Sequence, residues 1–279
     1  MRNFKMKKRT KPIFISKAAF VNVTLLAGIA IFVGLAAATG KLVSDNIVSG
    51  GITPSDKVVM SSGTTQTTGD RKTVEISAQD FYFLQFGVFA NKDNAATCAD
   101  SIIKKGGAGY VKEIDDKNYV FAMSYSQSED AKTIVSQLKQ QGYSAILKCY
   151  SHGGLKVDLS GAKESVDKVE SAFKGMSAIP FELEKIIYSF DKEEINKTEL
   201  GTALDTLSDK INVYRDVFNT YSDQNKVFED AMRYCDTVCD DINSVAAYAE
   251  DGSPSSDLKF IYINCIFNLI EYLDNVVIE

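Results

Sequence analysis

The sequence predicts an α+β chain in three structured parts: a single transmembrane helix, a βαββαβ domain and an all-α helical bundle. Three observations carry that reading. Ala18 to Ala38 holds no charged residue and follows a cluster of bases. Residues 81–150 contain an internal repeat at an offset of 36 positions. From Leu200 onward, apolar residues recur at spacings that alternate between four and three. The divisions that follow are a basic cytoplasmic tail at 1–17, a transmembrane anchor at 18–39, a flexible linker at 40–77, the βαββαβ domain at 78–155 and an acidic helical bundle at 156–279.

The anchor is read first from charge. Arg2, Lys5, Lys7, Lys8, Arg9, Lys11 and Lys17 form the tail with no acid among them, so the rest of this −6 chain carries the balance, −13. An acidic folded part argues against nucleic acid as a partner, because phosphate neutralisation needs an extended basic surface. At 1.5 Å per residue, a helix over residues 18–38 is about 31 Å long, the thickness of a hydrocarbon core. The one-sided basic flank keeps the N-terminus cytoplasmic and sends the C-terminus outside, a single-pass topology in the cell membrane. A cleaved signal peptide is the competing reading, since Ala36, Ala37 and Ala38 are small enough for a signal peptidase. The apolar stretch is longer than the usual signal core, which favours a retained anchor.

The linker is poor in large apolar residues and has no period: Gly50-Gly51, Pro54, Ser61-Ser62-Gly63 and a Thr-rich run to Gly69. The repeat begins beyond it. Phe81 to Phe89 is aromatic and apolar, a strand. Asn91 caps a helix running through Lys105 and stopped by Gly106-Gly107. Tyr110 to Ile114 and Tyr119 to Ser124 are strands about the turn Asp115-Asp116-Lys117-Asn118. Ser128 caps a second helix, stopped by Gly142, and Ser144 to Tyr150 is the fourth strand. Leu84 then matches Val120, Ala95 matches Ala131, Ile102 matches Leu138, Gly106 matches Gly142 and Lys112 matches Lys148. Two split βαβ halves build a four-stranded antiparallel sheet with both helices on one face and the other face open.

The string Phe83-Leu84-Gln85-Phe86-Gly87-Val88-Phe89, then Asn91-Lys92-Asp93-Asn94-Ala95-Ala96, then a helix ending in Lys-Lys-Gly-Gly, resembles the SPOR domain. That family's first strand reads approximately V-Q-x-G-S/A-F, followed by x-N/D-x-x-N-A. The resemblance covers about a quarter of the chain. It implies a ribonucleoprotein-like fold that binds peptidoglycan, preferentially glycan strands stripped of stem peptides, at division or sporulation septa. The chain departs from the pattern at Val88, where the family has a small residue, and at Ala122-Met123-Ser124-Tyr125, where it usually has V-G-P-F.

Strand alternation turns Leu84, Phe86 and Val88 toward the helices and Phe83 and Gln85 toward the open face. The repeat puts Tyr119 and Phe121 on that same face. An amide among aromatic rings suits a sugar, whose C–H faces pack on rings while its hydroxyl and acetamido groups bond to the amide. Phe83, Gln85, Tyr119 and Phe121 are therefore the candidate glycan-binding residues. The alternative is that these aromatics are an interface covered by the C-terminal region.

That region is helical. Leu204, Leu207, Ile211, Tyr214, Phe218 and Tyr221 form one stripe; Phe228, Met232, Cys235, Cys239 and Ile242 another; Leu258, Tyr262, Cys265, Leu269 and Leu273 a third. A shorter stripe, Val166 to Met176, is broken before Pro180 and followed by Leu183 to Phe190. Residues 163–279 hold 24 acids against 11 bases, so the bundle is acidic and its expected partner is another envelope protein. Cys235 and Cys239 are spaced as a metal pair but lie on an apolar seam with no histidine near, so they read as structural thiols. His152, the only histidine, is placed in a loop with no nucleophile or acid beside it. Asp191 and Glu194 have the spacing of a helix cap. No phosphate loop or zinc-hydrolase motif is present. The chain is expected to bind without catalysing, with no cofactor. The competing function is an envelope scaffold whose bundle recruits a partner while the sheet serves as a packing surface.

Overall fold

A computed structural model describes residues 59–60, 70–247 and 254–275. The basic tail and the anchor at 18–39 lie outside the described residues. Among those described, no helix is long and apolar enough to cross a membrane.

The repeat folds as two matching halves. The first is β3 (Gln79–Phe89), α1 (Lys92–Ile103) and β4 (Tyr110–Ile114); the second is β5 (Lys117–Tyr125), α2 (Ser128–Gln140) and β6 (Ile146–His152). The strands form one antiparallel sheet in the order β4-β5-β3-β6, and α1 and α2 pack on one face of it. Both helices stop in the same way. Gly106 and Gly142 take positive φ, 81° and 84°. The next residues, Gly107 and Tyr143, donate back to the carbonyls of Ile102 and Leu138 at 3.1 and 2.9 Å. This is the Schellman arrangement, in which glycine takes the left-handed position at no steric cost. Asn91 caps α1 by accepting from the amides of Asp93 and Asn94 at 2.7 and 3.2 Å. Ser128 does not cap α2: the capping position falls on Gln127, without a side-chain bond.

Three expectations about the ends of this domain are corrected. The segment read as linker contains β1 (Val59–Met60) and β2 (Asp70–Ile76). Both pair with β7 (Leu155–Gly161), forming a three-stranded sheet ordered β1-β7-β2. Val74 and Val157, opposite each other, are buried; the alternation Thr73-Val74-Glu75-Ile76 is short enough to be hidden behind the polar run before it. β7 also displaces the expected start of the bundle at 156, since the first bundle helix begins at Lys163. His152 is strand rather than loop. It ends β6, is 4% exposed and lies 6.5 Å from the Phe81 ring. Burial lowers its pKa from the ordinary value.

Among the described residues, four α-helices follow: α3 (Lys163–Asp191), α4 (Lys197–Tyr221), α5 (Lys226–Ala246) and α6 (Ser255–Asn275). Pro180 does not break the first; α3 runs through it for 29 residues. Its ring is buried, so packing on both sides of it outweighs the one lost backbone bond. The expected cap of Asp191 and Glu194 is not formed. The true capping box is two residues further on from Glu194, where Asn196 accepts from the Glu199 amide at 3.0 Å and Glu199 accepts from the Asn196 amide at 2.8 Å. Asp191 instead pairs with Lys259 of α6 at 2.8 Å.

Candidate functional site

The sheet face opposite α1 and α2 is the site to which the sequence points. Opposed residues of an antiparallel pair share a face, so the register lays out its rows across β4, β5, β3 and β6. The end row is Lys112, Tyr119 and Val88; the next is Tyr110, Phe121, Gln85 and Ile146; beyond it Phe83 stands opposite Lys148 and Phe81 opposite Tyr150. The four candidate residues are thus brought together. The Phe83 and Phe121 rings are 5.4 Å apart and the Tyr119 and Phe121 rings stack at 6.4 Å.

Val88 departs from the expected facing. The pairing slips between Leu84 and Gly87, so that Gln85 opposes Phe121 while Gly87 opposes Val120, leaving Phe86 as an extra residue. Such a bulge reverses the alternation beyond it. Leu84 and Phe86 keep the helix face, but Val88 joins Tyr119 on the opposite one and is 41% exposed.

The face is not open over its centre. Phe83 and Phe121 are fully buried and Gln85 is 4% exposed; of the four candidates only Tyr119 is half-exposed. The cover is α6. The Phe267 ring lies 4.8 Å from Phe83, 5.2 Å from Tyr150, 5.8 Å from Tyr110 and 5.9 Å from Phe121. Lys112 places its ammonium 5.0 Å over the same ring. The four candidates therefore share a face as the alternation predicts, but three of them form a floor beneath a helix rather than a solvent surface. Sequence reasoning misses Phe267 because one apolar stripe is enough to place α6. The helix carries a second, Phe260, Ile263, Phe267 and Ile270, at spacings of three and four. A helix apolar on two sides is sandwiched, and α6 lies between the sheet and α3 and α5.

The floor is polar in two places that the cover does not satisfy. Gln85 Oε1 and Ser124 Oγ are buried with no hydrogen-bond partner. The rim, in contrast, is bonded across. Tyr110 donates its hydroxyl to Asn264 Oδ1 at 3.1 Å, and Asn264 donates to Asp241 at 2.7 Å. Burial pushes the Tyr110 phenol up to about 12. Lys259 bonds the Gly106 carbonyl at 2.9 Å. Glu184 of α3 accepts from the Ser126 amide and hydroxyl at 2.9 and 2.5 Å.

What remains accessible is the end of the face. Lys112 and Tyr119 are half-exposed, Val88 is 41% exposed, and Ile146 and Lys148 stand exposed at the β6 edge. This strip offers an aromatic ring, two aliphatic contacts and two ammonium groups beside the buried Gln85 amide.

Cys235 and Cys239, the thiols read as structural, are in the bundle core together with Cys265. Cys239 lies 3.3 Å from the Ser208 hydroxyl and Cys265 3.2 Å from the Tyr234 hydroxyl. Burial raises the pKa of Cys235 and brings Cys265 to about 12. Among the described residues, no group of three or more His, Cys, Asp or Glu is placed to hold a metal ion.

In comparisons with known proteins, residues 78–148 match the SPOR domain family. The match spans β3 to the start of β6 and stops short of β7 and the bundle. No curated protein and no solved structure matches the chain.

Proposed function

We propose that this is a cell-wall-binding protein whose SPOR domain holds peptidoglycan glycan strands near the membrane, in cell division or at a sporulation septum. The observation that carries the proposal is the SPOR match over residues 78–148 together with the aromatic and basic strip on that domain's sheet. Tyr119 is the stacking platform, with Val88 and Ile146 beside it. Removing a stem peptide by amide hydrolysis frees the lactyl carboxylate of each muramic acid. Lys112 and Lys148 are the cations that meet those carboxylates at either edge of the face. Phe83, Gln85 and Phe121 remain the residues proposed for glycan contact in the central part of the face. A SPOR domain is a binding module, which fits a protein that holds the wall without cleaving it. Residues 18–39 are proposed as the single-pass anchor, with the N-terminus cytoplasmic and the folded part outside.

A second reading is favoured by the burial of Phe83, Gln85 and Phe121 under α6. In it the sheet is a packing surface and the protein is an envelope scaffold whose acidic bundle recruits a protein partner.

Sedimentation of the full chain, in mild detergent, with purified sacculi separates the two. The wall-binding reading expects retention that rises when an amidase has stripped the stem peptides. A folded chain that stays in the supernatant with both preparations contradicts it and leaves the scaffold.

A further inference from the structure

We infer that α6 is a built-in competitor for the glycan site, with Phe267 occupying the central subsite that a sugar ring takes when the bundle moves off the sheet. The inference rests on the wall-binding reading and specifies how that site is regulated.

The occupant has the contacts of a ligand. Phe267 is ringed by Phe83, Tyr110, Phe121 and Tyr150 at centroid distances of 4.8–5.9 Å and carries Lys112 on its face at 5.0 Å. Aromatic walls with a cation at one side also suit a sugar bearing a carboxylate. The polar groups beneath it tell against a permanent apolar plug. Gln85 Oε1 and Ser124 Oγ lie in the same floor, buried and without partners. Hydroxyl and acetamido groups would satisfy both atoms, whereas a phenyl ring satisfies neither. The bonds that hold α6 down lie at the rim: Tyr110 to Asn264, Lys259 to the Gly106 carbonyl and Ser256 to the Ile103 carbonyl. Each can be exchanged for water once the helix lifts.

Apparent affinity then equals intrinsic affinity multiplied by the uncovered fraction. Weakening the cap raises binding, although it removes core contacts. The chain has no tryptophan, so Phe267→Trp places a single indole reporter in the subsite. The experiment measures glycan strands released by amidase and chain-cleaving digestion binding to the full chain, to Phe267→Ala and to Phe267→Trp, with circular dichroism of each.

The inference expects Phe267→Ala to bind at least about ten-fold more tightly than the wild type. It also expects the indole emission of the Phe267→Trp protein to move to longer wavelength as glycan saturates the chain. Equal binding by wild type and Phe267→Ala, or saturation without an emission shift, overturns the cap and leaves wall binding intact. Folded proteins that bind no glycan in any form overturn wall binding, and the cap with it. If Phe267→Ala fails to fold, the Phe267→Trp emission decides alone.

Discussion

Ser124 is fully buried and its hydroxyl has no partner, so removing that hydroxyl removes an uncompensated desolvation. Ser124→Ala is expected to leave stability unchanged or raise it by up to about 1 kcal/mol, read from chemical denaturation. Phe121→Ala, in the same floor, is expected to cost about 3–5 kcal/mol, because its ring is fully enclosed. His152 adds a pH dependence. Burial lowers its folded pKa below the ordinary 6.5, so below that pH the unfolded chain binds more protons than the folded one. Its contribution is intact above about pH 6.5 and is lost as pH falls toward the lowered folded value. Melting temperature should drop more between pH 7 and pH 5.5 for the wild type than for His152→Asn; parallel profiles would exclude His152 as the titrating group. At this scale, alternation made the facing of Phe83, Gln85, Tyr119 and Phe121 legible. It failed at Val88, because a bulge is a property of the strand pair and leaves no mark in one strand's own pattern.

Element ends were legible where a residue's own chemistry decides them. Asn91 and the paired stops at Gly106 and Gly142 act through their own side chain or positive φ. The α4 cap was misplaced by local ambiguity, since Asp191/Glu194 and Asn196/Glu199 have the same spacing. The choice fell to Asn196 because α3 continues to Asp191, which then reaches Lys259. Asn196→Ala should therefore cost about 1 kcal/mol, while Glu194→Ala should fall within about 0.5 kcal/mol of wild type, the usual range for surface substitutions. A thermal-melt comparison with the order reversed would place the cap where the sequence first suggested. The same logic explains α6. One apolar stripe was enough to identify the helix, but the second stripe through Phe267 becomes meaningful only when something apolar is there to receive it. Pro180 shows the converse: a residue that breaks isolated helices is tolerated in α3 because both flanking turns are packed.

At the scale of the whole molecule, the βαββαβ domain that matches the SPOR family and the bundle are distinct in topology but share one core. A continuous cluster of buried residues runs from Phe83 and Phe121 through Phe267 into Phe173 and Phe228. Apolar spacing set the change from sheet to helix at residue 156, and β7 moved it to Lys163. The apolar sheet face allowed a cover from the C-terminal region, and α6 supplies it; the pattern did not show which helix surface meets the sheet, because the matching surfaces lie more than a hundred residues apart in the chain. A shared core predicts a single thermal transition, with far- and near-ultraviolet circular dichroism superimposing; two resolved transitions would mean that sheet and bundle melt independently. The central claim is that glycan is held on the sheet face that begins at Tyr119. Its most direct test is the affinity of the full chain for amidase-stripped glycan strands, measured for wild type and Tyr119→Ala by titration. Loss of the half-exposed ring should weaken binding by roughly ten-fold, the equivalent of about 1.4 kcal/mol, with the melting temperature nearly unchanged. Undiminished binding by a folded Tyr119→Ala protein would place the glycan elsewhere and contradict the account.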